Sequence, residues 1–208
     1  MALARKTAAA TASRAKAFDL SNLLTTGVVA GLAVGFAFIL ANMIYATSQP
    51  ALVNVPNGPK LPAIAPFLDI GTIFYFDDMP QMTPAYPFVG LITHFSLSIV
   101  FGLIFALAMV PLFSNARALL VGGIAYGGVL YLVNYQILGR VVFEWFDPSD
   151  PMGPDPWFGL VTHLGFGLLL VPFFLTTVSR YGEASAAHAA ADRVESESTR
   201  SRQGHERN

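Results

Sequence analysis

Two histidines stand at the same place in two copies of one motif, PFVGLITH at 87–94 and PWFGLVTH at 156–163. Each copy opens a long apolar run, so His94 and His163 enter a membrane at equivalent points. An ionisable side chain inside such a run is costly to withdraw from water, and its default reading is functional. Asn42 and Asn134 add a second pair. They fall about one helical turn from the outer ends of their runs and the histidines about two, so at ~1.5 Å per residue all four share nearly one depth. The expectation is a polar girdle on the bundle axis.

Three chemistries suit that girdle. Haem b would take His94 and His163 as axial ligands across the bundle. A divalent metal, zinc or copper, would need the imidazoles closer, with Asp77, Asp147, Glu144 or Met43 completing the set from the outer mouth. A proton or ion path would use them as a polar constriction below an acidic vestibule. Residue types alone leave these open, and a fourth reading stands beside them: His and Asn in membrane helices often only hydrogen-bond across a helix contact, at ~0.6 kcal/mol on average.

The elements that must position these residues come from composition and from a repeat. With 54% hydrophobic and 12% charged residues and a mean hydropathy of +0.54, the chain has membrane composition. Four stretches meet the roughly 20 apolar residues a span requires, at about 24–46, 87–113, 118–139 and 157–178. None contains Asp, Glu, Lys or Arg. The first is full length and follows a polar tail, so it is read as a retained span rather than a cleaved signal.

The repeat extends past the histidine motifs. Phe76-Asp77, Met82, Pro84 and Pro87 align with Phe146-Asp147, Met152, Pro154 and Pro156 through one gap. Gly31, Ala33, Gly35 and Asn42 superpose without a gap on Gly123, Ala125, Gly127 and Asn134. The expected fold is therefore all-α, a four-helix transmembrane bundle built from a duplicated two-helix unit, with a pseudo-two-fold axis along the membrane normal. Gly31, Gly35 and Asn42 share one stripe, as do Gly90, His94 and Ser98, and Gly159, His163 and Gly167. Small residues let helix backbones approach in lipid, so these stripes should face protein.

Basic residues set the expected orientation. Arg5, Lys6, Arg14 and Lys16 precede the first span, Arg117 lies between spans two and three, and Arg180, Arg193, Arg200, Arg202 and Arg207 follow the fourth. The other side has only Lys60 and Arg140, and carries Asp69, Asp77, Asp78, Glu144, Asp147, Asp150 and Asp155. The positive-inside rule then makes both termini cytoplasmic in a multi-pass protein of the cell membrane. Residues 1–20 read as a basic cytoplasmic tail, 21–180 as the membrane domain, and 181–208, rich in Ala, Ser, Glu and Arg, as a disordered cytoplasmic tail.

The outer loop 47–86 is too long for a plain connection. Its apolar stretch 66–76 reads as a lid lying at the interface or covering the bundle. Ser21 or Asn22 is the expected cap of the first helix, and Pro172 should bend or end the fourth. Gln136, Arg140 and Glu144 follow at four-residue spacing. An Arg140–Glu144 pair would be a modest surface bridge, placed where it could also meet a ligand headgroup.

The chain lacks cysteine, which removes disulfides, thiolate metal sites and cysteine nucleophiles. No phosphate loop, triad spacing or GxGxxG is present, and an enzyme is not supported. The sequence GLITH followed by FSLSIVFGLIFAL, and GLVTH followed by LGFGLLLVPFF, resembles a group of small bacterial four-helix membrane proteins of unknown function, similar in having a histidine near the outer start of helices two and four. That resemblance covers about residues 24–178. The chain departs from the group in its long outer loop and tails, and no activity carries over.

The functional expectation is a membrane protein binding haem b or a metal ion through His94 and His163, with Asn42 and Asn134 beside them, for electron transfer or metal handling. A channel or carrier for a small solute or cation, and a structural subunit with no ligand, are the alternatives. The lipid bilayer is the expected partner, together with a homo-oligomer or larger membrane complex; nucleic acid is not.

Overall fold

The computed structural model describes residues 19–49, 60–75, 83–142 and 155–205. All regular structure there is helical: α1 (Leu20–Ala46), α2 (Ala65–Tyr75), α3 (Ala85–Ile104), α4 (Ala116–Tyr131) and α5 (Pro156–His205). α3 runs on through a π turn, Phe105–Met109, and a 3-10 turn, Val110–Leu112; α4 continues as a π-helix, Leu132–Val142. α1, α3 and α4 with their extensions, and α5, are four helices long and apolar enough to cross a membrane. This is the composition of an integral membrane protein.

The helix starts have identifiable causes. Asp19, rather than Ser21 or Asn22, caps α1: its Oδ1 accepts from Ser21 N at 3.0 Å and Asn22 N at 3.4 Å. Asn115 caps α4 through Ala118 N at 2.9 Å, and Asp155 caps α5 through Trp157 N at 2.8 Å. In each case a side-chain oxygen takes a first-turn N–H that has no intrahelical partner.

α1 packs on α3 and α4 packs on α5, and small residues carry both contacts. A methyl group added at Gly31 would strike the Ser98 carbonyl, and one at Gly102 would strike the Gly27 carbonyl. In the second pair a methyl at Gly127 would strike the His163 carbonyl, and one at Gly167 the Gly123 carbonyl. Backbone meets backbone at these points, the contact that replaces hydrophobic burial when the solvent is itself apolar.

One end of the bundle is a dry plug. Phe105, Phe174, Leu119, Leu170, Val110 and Val178 are fully buried there, toward the turn at 113–115. At the start of the π turn of α3, Phe105 N–H still bonds to Phe101 O. Tyr126 of α4 crosses and donates its hydroxyl to Phe101 O at 2.8 Å.

The other end is looser. α1 crosses α5, with Tyr45 stacked on Phe158 at 3.8 Å and its hydroxyl donating to Asp155 Oδ2 at 3.3 Å. Among the described residues the π-helical half of α4 stands off from the other long helices and keeps mainly side-chain contact with α5, through Tyr135 lying over Gly159.

The lid expectation over 66–76 meets a helix that covers α3. Gly71 lies against the Tyr86 carbonyl and Gly90 against the Phe67 carbonyl. The two pairs run in opposite senses along the chain, so α2 is antiparallel to α3 and its start is its deeper end. Phe67 reaches the imidazole of His94, ring centroids 6.3 Å apart.

Of the two outcomes expected at Pro172, a bend or an end, the helix does not end there, and α5 continues over 181–205, the stretch expected as a disordered tail. Extending an existing helix needs no new nucleus, and the Ala- and Glu-rich sequence propagates it. Gly182 packs against the Ser114 carbonyl, and His188 pairs with Asp192 at 3.6 Å. Residues 1–18 of the basic tail lie outside the described residues.

Candidate functional site

The two histidines occupy the expected positions on their helices but do different work. His94 is buried on α3, and its Nε2–H donates to Gly35 O of α1 at 2.9 Å. That bond bridges two helices at the point where Gly35 and Ser98 let them approach; Ser98 Oγ turns back to His94 O at 2.8 Å. In the neutral ring the proton is then on Nε2. Phe38, Phe67 and Phe95 surround the imidazole.

His163 bonds within its own helix. Nδ1–H donates to Gly159 O, one turn earlier, at 2.7 Å. The neutral ring then carries its lone pair on Nε2, the nitrogen further from the backbone. A histidine that ligates a metal or haem iron is usually oriented in this way, its other N–H fixed by a carbonyl. His163 is half-buried, with Phe38 edge-on at 5.2 Å and Tyr131 at 5.9 Å.

The helices bearing the histidines do not pack broadly on one another among the described residues. Each packs on α1, whose Phe38 stacks on His94 at 6.0 Å while meeting His163 edge-on. A zinc ion shared by both rings would need each nitrogen at about 2.0–2.1 Å, and Phe38 contacts both rings. No group of three or more His, Asp or Glu suited to a metal occurs among the described residues. Asp77, Asp147 and Glu144 of the expected metal set lie outside them.

Among the described residues neither asparagine shares a hydrogen bond with an imidazole. Asn42 Nδ2 donates to Phe38 O of its own helix at 2.9 Å, and Asn134 is half-buried on the π-helix. A second polar group is present instead. Arg140 Nη1 donates to Gln136 Oε1 at 2.7 Å, and Gln136 Nε2 donates to Tyr131 Oη at 2.7 Å. Four-residue spacing of Gln136 and Arg140 is visible in the sequence; the five-residue step to Tyr131 follows π geometry and is not. Phe38 is likewise hidden, one aromatic residue in a uniformly apolar run.

The fold and site together describe a four-helix membrane-type bundle with a dry plug at one end and, at the other, one imidazole bridging helices and one bonded within its own helix. Compared with known proteins, the chain matches no protein-family model, no curated protein and no solved structure.

Proposed function

We propose that the protein is a multi-pass protein of the cell membrane, both termini cytoplasmic, that binds haem b at His163 for electron transfer. The orientation rests on the basic flanks. A duplicated two-helix origin is supported by equivalent contacts: Gly31 on the Ser98 carbonyl and Gly123 on the Gly167 carbonyl are the same positions of the two units. The bundle is then loose toward the outside and plugged toward the cytoplasm.

The observation that carries the reading is the Nδ1 bond of His163 to Gly159 O, which fixes the ring and leaves Nε2 for a ligand. Phe38, Phe166 and Tyr131 supply the apolar walls a porphyrin needs. His94 serves as the clasp of the first helix pair through its bond to Gly35 O. Haem b bound there would supply a one-electron carrier. The chain's own contribution is to orient one imidazole and keep water out from the cytoplasmic side.

The test is haem titration of the purified protein in detergent. A Soret band of ligated haem b, lost in His163→Ala and kept in His94→Ala, is expected; no Soret shift in the wild type overturns the proposal. A carrier for a small solute is the second reading, favoured by the π-helical half of α4 standing off from the bundle. Flux into liposomes with no haem binding would select it.

A further inference from the structure

The polar line on α4 is not accounted for by the ligation of iron. Its hydrogen bonds run in one direction, Arg140 to Gln136 to Tyr131, from the loose end of the bundle toward His163. Each acceptor passes a donor onward, and a cation at the head of such a chain polarises every bond below it. The line ends on the phenol O–H of Tyr131, which has no acceptor among the described residues. Tyr131 lies one turn, or about 6 Å, nearer the loose end than Gly127, the residue in contact with the His163 carbonyl.

A hydroxyl and a guanidinium presented together at the membrane boundary recognise an anionic oxygen. Among the described residues Arg140 has no carboxylate partner, and the nearby acid Asp155 is engaged, Oδ1 capping α5 and Oδ2 accepting from Tyr45. The line is also not a by-product of the repeat. At the offset that superposes Gly31 on Gly123, the positions of Tyr131, Gln136 and Arg140 are Ile39, Ile44 and Ser48, so the polar line marks the half whose histidine bonds within its own helix.

We infer that Arg140, Gln136 and Tyr131 anchor the carboxylate of an amphipathic ligand whose planar apolar body lies beside His163 and Phe38. Resting on the haem reading, the carboxylates are those of the porphyrin's propionates, bound at the bilayer boundary while the ring enters the apolar half. Gln136 is a positioning residue; Tyr131 and Arg140 touch the acid.

Metal-free protoporphyrin IX separates this anchor from iron ligation. Its binding to the full-length purified protein is followed by fluorescence, beside that of its dimethyl ester, in which both carboxylates are capped. Free-acid binding should weaken at least tenfold in Arg140→Gln and severalfold in Tyr131→Phe, recover in part in Arg140→Lys, and exceed ester binding only in proteins that keep the anchor. Circular dichroism and gel filtration establish that each variant is folded. Equal binding of acid and ester, an unchanged affinity in a folded Arg140→Gln protein, or no porphyrin binding overturns the anchor. A bound free acid with no His163-dependent Soret shift on adding iron porphyrin would instead leave the anchor standing and overturn the haem reading.

Discussion

Phe38 meets the imidazole of His163 edge-on, ring centroids 5.2 Å apart at 81°, while its face lies over His94 at 6.0 Å and 22°. One aromatic side chain of α1 thus contacts both imidazoles. We predict that Phe38→Ala increases haem affinity or converts a one-histidine spectrum into a two-histidine one, because His94 then gains access. In that background His94→Ala should remove the second ligand. A spectrum unchanged from wild type in Phe38→Ala would mean that His94 stays a clasp whatever space is opened.

The clasp has its own prediction. His94→Ala removes the bond to Gly35 O and leaves a carbonyl at a tight helix contact. Hydrogen bonds between membrane helices average about 0.6 kcal/mol with maxima near 1.7, so a loss of roughly 1 kcal/mol is expected. Thermal or denaturant unfolding in one detergent should show a modest drop in stability. His163→Ala, whose bond lies within one helix, should cost less. Equal destabilisation by the two substitutions would contradict the division of labour.

Much of this architecture is readable from residue types, and the exceptions have physical reasons. Four spans follow from apolar runs, and the Gly31, Gly127 and Gly167 contacts follow from stripes of small residues, because both are properties of a helix taken alone. The unequal histidines do not follow. Both motifs place Gly four residues before His, and only the packing of α1 decides that His94 reaches across to Gly35 while His163 turns back to Gly159. The four-residue spacing of Gln136 and Arg140 is visible, though the pair expected from it is Arg140–Glu144, and the bond of Gln136 to Tyr131 needs the π-helical step that tertiary packing imposes. The same limit applies to Asp155 and Tyr45, which meet across more than a hundred residues and share no local pattern.

The contact within the second helix pair supplies a sterically sharp test. A side chain at Gly127 would enter the His163 carbonyl and the Cα of Leu164, and backbone atoms of a packed helix cannot move aside cheaply. Gly127→Val should separate α4 from α5, with loss of the folded form in detergent and of any ligand bound at His163. Gly165 has no atom within 4 Å of an added Cβ, so Gly165→Ala, on the neighbouring helix, should fold normally. Comparable folding yields of the two variants would count against this packing.

The last prediction concerns α2 and pH. Asp69 lies on that helix and keeps solvent-exposed surface, yet the protein crowded around its carboxyl removes enough water to push its pKa from 3.8 up to about 6. A raised carboxyl pKa means that the docked helix holds the proton more tightly than the undocked chain. Between about pH 4 and 6 the docked state therefore binds more protons, and its stability falls as pH rises through that window. Docking is favoured most below the undocked value and least above about 6. Hydrogen exchange of the α2 amides should accordingly report tighter docking at pH 4.5 than at pH 7 once the intrinsic pH dependence of exchange is corrected. Asp69→Asn, neutral at every pH, should remove the difference and keep α2 docked at pH 7. If the substitution leaves the pH dependence intact, another group controls how this helix seats over Gly90 and His94.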